Sequence, residues 1–189
     1  MSSHHIVREK QEPALLVLGM GDFNHEQLGQ LLEWSPTVIA TTQTVGLLLS
    51  LNIKIDWLIS KSTVEDMQAD IKTFIVKEEL PSVAALNFLI TGGYSSVNII
   101  SEDFNPVDYS TFIAKINIVV FCRQKKIYAI HSGYSKWKTQ GEQIEIISEA
   151  DILGFKGLKR INTSTFETLD DGFFNLQFKE EKLFIAESL

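Results

Sequence analysis

Residues 14–34 read ALLVLGMGDFNHEQLGQLLEW. Ala14–Leu18 is an unbroken apolar run, the pattern of a strand that is covered on both faces of a parallel sheet. Gly19-Met20-Gly21 ends that run, and Asn24 is a good helix-capping residue. Leu28, Leu31 and Leu32 follow at helical spacing up to Trp34. Strand, glycine loop and amphipathic helix together make the first half of a βαβ unit, so this stretch predicts an α/β fold.

The alternation continues up to about Ser101. Thr37–Ala40 predicts a second strand, Thr44–Leu51 a short buried helix and Ile55–Ile59 a third strand. Val64–Val76 predicts an amphipathic helix. Pro81–Ile90 predicts another helix, opened by proline in its first turn and stopped at Gly92-Gly93, and Val97–Ile100 a fourth strand. From Lys115 the texture changes. Ile116–Phe121 and Lys126–Ile130 flank the polar turn 123–125, Gln143–Ile147 alternates apolar and polar residues, and Phe173–Phe178 and Lys182–Ala186 flank a second polar turn. The expected organisation is residues 1–113 as an α/β domain with a parallel sheet between helices, and residues 114–189 as a small antiparallel β domain.

Several function classes fall away on composition. The 189 residues carry 17 Lys+Arg against 24 Asp+Glu, a net charge of -7, so the field needed to hold a phosphate backbone is lacking and no nucleic-acid partner is expected. No stretch approaches the roughly 20 apolar residues of a membrane span, and no membrane partner is expected. The start, with His4 and His5 in a polar arm, lacks a cleavage signature. A single cysteine excludes an internal disulfide framework and suits a reducing, cytoplasmic location.

Few residues suggest chemistry by themselves. Gly19 and Gly21 stand between a strand and a helix, where a phosphate loop belongs, but position 24 is Asn where a dinucleotide fingerprint needs a third glycine. A tight turn is the alternative. Cys122 lacks a local partner and reads as a core residue, and His25 and His131 fit no ligand spacing. Asp56 opens an apolar strand and needs a hydrogen-bonding partner or a ligand if buried. Trp137, in the basic aromatic segment Tyr134–Lys138, reads either as a structural residue in a turn between strands or as a stacking surface for a flat ring.

The order of these segments resembles thiamin pyrophosphokinase, a family in which an α/β nucleotide domain precedes a β-sandwich thiamin-binding domain. Residues 37–44 (TVIATTQT) and 51–63 (LNIKIDWLISKST) are similar to the family's "viaaDGGa…lGikPDyiiGDfDS". Residues 81–94 (PSVAALNFLITGGY) resemble its "D-x-T-D-x-x-K-A-L-x-x-L…G" helix, and 141–147 (GEQIEII) its "G…SLlP" strand. Asp56 matches a family carboxylate, and Asp108 takes the place of the Asp of R-x-D-H.

The chain departs from the pattern at its acids. Thr42–Thr44 stands for DGG, residues 60–64 (SKSTV) for G-D-x-D-S, and the D-x-T-D pair has no counterpart near Glu78–Val83. Diphosphate transfer from ATP relies on Mg²⁺ held by carboxylates, and Lys61 puts a cation where an acid would bind that metal.

The resemblance implies Asp56 and Asp108 as catalytic candidates. Gly19 and Gly21, by their place between strand and helix, and Lys61, as a point charge for phosphate, are the nucleotide-binding candidates, and Trp137, by its indole, is the stacking candidate. A nucleotide or thiamin-like small molecule is the expected ligand, and the resemblance together with the edges left by two short hairpins makes a homodimer the expected assembly. Three readings stand open. The first is a catalytically impaired relative with a binding, regulatory or structural role. The second is an active ATP:thiamin diphosphotransferase, or a kinase for a related substrate, using Mg and ATP at a site rebuilt from Asp22, Glu102 or Asp103. The third is a homodimeric scaffold without a small ligand.

Overall fold

The computed structural model describes residues 12–62 and 70–189. The chain divides into two compact units, up to Ile118 and from Val119. In the first unit the elements run β1 (Ala14–Val17), α1 (His25–Leu32), β2 (Val38–Thr41), α2 (Val45–Ser50), β3 (Trp57–Ser60), β4 (Lys72–Ile75), α3 (Pro81–Thr91), β5 (Ser96–Ile100) and α4 (Pro106–Ser110).

All four residues of β1 are apolar and buried, which only an interior strand covered on both faces allows. It pairs in parallel with β2 on one side and β5 on the other. β3 and β4 extend the parallel sheet beyond β2, giving the order β5-β1-β2-β3-β4. Leu28 of α1 and Leu48 of α2 pack on the face made by Leu15, Val17, Val38 and Ala40. Trp57 is in register with Ile39, on the other face, and there Phe88 of α3 lies 4.6 Å from the Trp57 ring. Helices therefore cover both faces, as right-handed crossovers require when the chain first moves outward to β4 and then returns past β1 to β5.

The helix predicted over Val64–Val76 gives way to a strand in its described part. Residues 63–69 lie outside the described residues, and Lys72–Ile75 is the edge strand β4. The cause is tertiary: Thr73 and Ile75 are β-branched, and β3 offers a parallel partner from Trp57 to Ser60.

The division falls within β6 (Asn117–Cys122). The second unit continues with β7 (Lys125–His131), β8 (Tyr134–Lys138), β9 (Gln143–Ile146), β10 (Ile152–Lys156), β11 (Leu158–Arg160), β12 (Thr165–Thr168), β13 (Gly172–Phe178) and β14 (Lys182–Ser188). Its strands form two antiparallel layers, β11-β12-β9-β14-β7-β6 and β10-β13-β8. Phe166, Ile144 and Ile185 from the first layer and Phe174, Leu176 and Phe178 from the second share one core. The unit is a β-sandwich.

Tyr134–Lys138 is a strand, where its sequence suggests a turn. Alternation explains the difference: Tyr134, Lys136 and Lys138 point toward the other layer, while Ser135 and Trp137 point outward. Two inward lysines disguise the apolar face by which strands are recognised. They meet Glu187, which is only 4% exposed. Lys136 Nζ donates to Glu187 Oε2 at 2.7 Å and Tyr128 Oη to Oε1 at 2.6 Å. Lys138 Nζ lies 3.3 Å from the same carboxylate and is also paired with Glu142.

Burial pushes the Glu187 carboxyl upward, but hydrogen bonds from Lys136 and Tyr128 and the charges of both lysines outweigh it, so the group titrates below the usual carboxylate range. Glu142 is held at about 2, chiefly by its hydrogen bond from Lys138 and then by that from Thr139. Both depressed acids stabilise the fold above their unfolded values, and this contribution is lost as pH falls through the folded ones. Glu187→Gln, which leaves two cations without their shared anion, is expected to cost about 3 kcal/mol at pH 7. In urea melts the gap between the parent chain and this variant should narrow as pH falls from about 5 toward 2. A gap independent of pH would contradict this assignment.

Candidate functional site

An open parallel sheet binds ligands at the carboxyl ends of its strands, where neighbouring strands send their chains in opposite directions. Here that point lies between β1, which leads outward to β2, and β5. A cavity of about 500 Å³ opens there, lined by the Gly19-Met20-Gly21 loop, by Gln43 and Thr44 after β2, and by Glu102 and Asp103 after β5.

The loop is closed on itself and on its neighbours. Gly19 N–H donates to Ile100 O at 3.3 Å, and Phe23 N–H to Met20 O at 2.8 Å. Gly21, in the left-handed region at φ +47, donates its N–H to Glu102 Oε1 at 3.2 Å. A Cβ on Gly19 would stand 3.1 Å from both Cγ and Oε1 of Glu102, so glycine is what allows the side chain to lie this close.

Beside the loop, the segment after β2 is held by its own hydroxyls. Thr44 is 4% exposed. Its Oγ1 donates to Val17 O at 2.9 Å and accepts Thr41 N–H at 3.1 Å. After β3, Ser60 Oγ donates to Ser62 O at 2.6 Å, tying a short turn that carries the exposed Lys61. Asp108 lies in the first turn of α4, half-buried, after β5.

The structure thus brings Gly19 and Gly21 together with Glu102 and Asp103, with Lys61 following β3 at the same edge and Asp108 further along the chain after β5. It does not bring Asp56 to them. Asp56 precedes β3, at the amino ends of the strands, where its Oδ2 accepts Val38 N–H at 2.9 Å and Oδ1 lies 3.6 Å from Lys54 Nζ. Trp137 belongs to the second unit. It is 51% exposed, directly opposite Phe173, which is 73% exposed. Cys122 is buried at the end of β6.

Among the described residues no group of three or more His, Cys, Asp or Glu is placed to hold a metal ion. No helix among them is long and apolar enough to cross a membrane. The sequence names Glu102 as an acid after a strand, but its seat on the glycine loop is a long-range contact that spacing does not reveal. The role of Glu187 is likewise hidden in the apolar run before it.

Solved structures share this architecture. A thiamine pyrophosphokinase from Bacillus subtilis is 13% identical, with a TM-score of 0.60 over 93% of this chain and 97% of its own. A probable thiamine pyrophosphokinase from Staphylococcus saprophyticus is 14% identical, with a TM-score of 0.66 over 93% and 98%. The yeast enzyme is 8% identical, with a TM-score of 0.65 over 98% and 88%. No protein-family profile matches the chain. No curated protein matches it in sequence. The chain has the thiamin pyrophosphokinase fold.

Thr44→Val keeps the shape of the side chain but removes the donor to Val17 O and the acceptor for Thr41 N–H. Denaturant melts should show a loss of about 2 kcal/mol. A loss below about 0.5 kcal/mol would mean that these hydrogen bonds contribute little to this edge of the sheet.

Proposed function

We propose that this chain is a thiamin-pyrophosphokinase-like protein that has lost diphosphate transfer and keeps the fold in a binding, regulatory or structural role. The observation that carries this reading is the Glu102 carboxylate lying on the glycine loop at the switch point. Two features support it. Thr42 stands where the family resemblance places an acid, between Thr41 and Thr44, which bond one another, and Lys61 stands where a metal-binding acid is expected.

The described residues do not fit Mg²⁺. That ion takes carboxylate and phosphate oxygens in a near-octahedral set, and the edge that would hold it presents a lysine, hydroxyls already bonded, a glutamate turned onto backbone and Asp103 beside it, with no group of three or more metal-binding side chains together among the described residues. No step through Mg²⁺ or ATP is derived for this chain. Its ligand is proposed to be small and flat, a thiamin-like or nucleoside compound, and the exposed indole of Trp137 supports stacking on such a ring. Asp56, bonded to backbone at the far ends of the strands, is proposed as structural, and Asp108, in the first turn of α4, as an acid beyond the lining of the cavity. The net charge of -7 argues against nucleic acid, and the single cysteine supports a cytoplasmic setting.

A coupled assay for AMP or thiamin diphosphate should show no Mg-dependent turnover, and Lys61→Asp should not restore it, because one added acid leaves the coordination incomplete. Turnover of about 1 s⁻¹ or more, abolished by a chelator, would overturn this reading and favour a rebuilt metal site.

A homodimer is also proposed, its contact supplied by the second unit, where Phe173 and Leu153 are 73% and 70% exposed. Light scattering at micromolar concentration should give twice the 21.3 kDa chain mass. A monomer mass would refute it.

A further inference from the structure

A glycine loop between a strand and a helix binds anions because its backbone N–H groups point at one place without side chains in the way. In this chain the loop has that position, and the anion is already there. Glu102 Oε1 accepts the N–H of Gly21, and its Cγ and Oε1 would lie 3.1 Å from a Cβ at Gly19. The side chain therefore rests against both glycines at once.

We propose that Glu102 is an internal occupant of the glycine loop that bars phosphate groups from the switch-point cavity. The proposal rests on the reading of a chain without diphosphate transfer, and it names the residue that closes the site.

Three physical terms support it. A carboxylate and a phosphate oxygen compete for the same charge-assisted hydrogen bonds, and the internal one needs no association from solution. Two other donors at the loop are turned elsewhere, Gly19 N–H to Ile100 O and Phe23 N–H to Met20 O. Asp103 follows directly in the wall of the same cavity, so a phosphate entering it would meet two neighbouring acids, and like charges repel.

The contact is also arranged to be replaceable. Glu102 is exposed, and its bond to Gly21 spans 81 positions of sequence without being part of either strand. Removing the carboxylate should leave β1, β5 and the loop in place.

The test compares the full parent chain with Glu102→Ala and with Glu102→Gln, which keeps the shape but not the charge. Inorganic pyrophosphate and ATP are titrated in a buffer free of phosphate and sulfate, with and without Mg²⁺. Binding is read from the amide resonances of Gly19 and Gly21, and amide spectra without ligand verify that each variant is folded. Glu102→Ala should bind pyrophosphate about tenfold more tightly than the parent chain or better, with Glu102→Gln intermediate, and the Gly21 amide should move most.

No gain in either variant would overturn the proposal, as would parent-chain binding as tight as that of Glu102→Ala. Failure here is separable from failure of the functional reading. Turnover by the parent chain without any shift of the Gly21 amide would sink only that reading, whereas equal affinities in an inactive chain would sink only the part given to Glu102.

Discussion

The first unit depends on β1 being covered on both faces. Four buried apolar residues in a row cannot serve as a strand with one wet side, so layers of helix are needed above and below. Once α1 and α2 hold one face, right-handed crossovers bring α3 to the other as the chain returns to β5. That return puts the ends of β1 and β5 side by side with their loops diverging. The cavity at Gly19, Gly21 and Glu102 is therefore a consequence of how β1 is buried, and it exists whether or not any chemistry is done there.

In the second unit the constraint is electrostatic as well as apolar. Phe166, Phe174 and Leu176 fill the sandwich, but the same space extends into Glu187, Lys136, Lys138 and Tyr128. Buried charges are tolerable only when paired and hydrogen-bonded, and here one carboxylate takes a tyrosine hydroxyl and a lysine while a second lysine bridges it to Glu142. Such a layer couples β8 to β14 and so holds the three-stranded layer against the larger one. An apolar layer of equal size could give similar stability, but it would not tie Lys138 specifically to Glu187.

What the sequence revealed follows the strength of its periodic signals. β1, α1, α3 and the hairpins at 117–131 and 172–188 rest on apolar runs or clean alternation, and these are strong local patterns. β4 was hidden because Lys72–Ile75 is an exposed edge whose strand character comes from its partner β3. β8 was hidden because its inward residues include two lysines, whose burial only Glu187 makes acceptable. β10, β11 and β12 are short, and most residues of β10 and β11 are exposed. The site was legible as far as one-dimensional order allows: Gly19 and Gly21 end a strand, and Glu102 follows another. The bond between them was not legible, since it joins positions 81 residues apart. For Asp56, an acid at the head of an apolar strand announced the need for a partner, and the partner is the backbone amide of Val38.

These observations share one physical logic. Ligand sites carry backbone donors and acceptors that protein alone leaves unmet, and they are less stable for it until the ligand arrives. At this edge the chain meets them internally: Thr44 ties Val17 O to Thr41 N–H, Ser60 closes the turn at Lys61, and Glu102 takes Gly21 N–H. Under the proposed reading these contacts act together: hydroxyls bonded to backbone, a closed turn at Lys61 and a carboxylate on the glycine loop each lower what a phosphate could gain by binding at this edge.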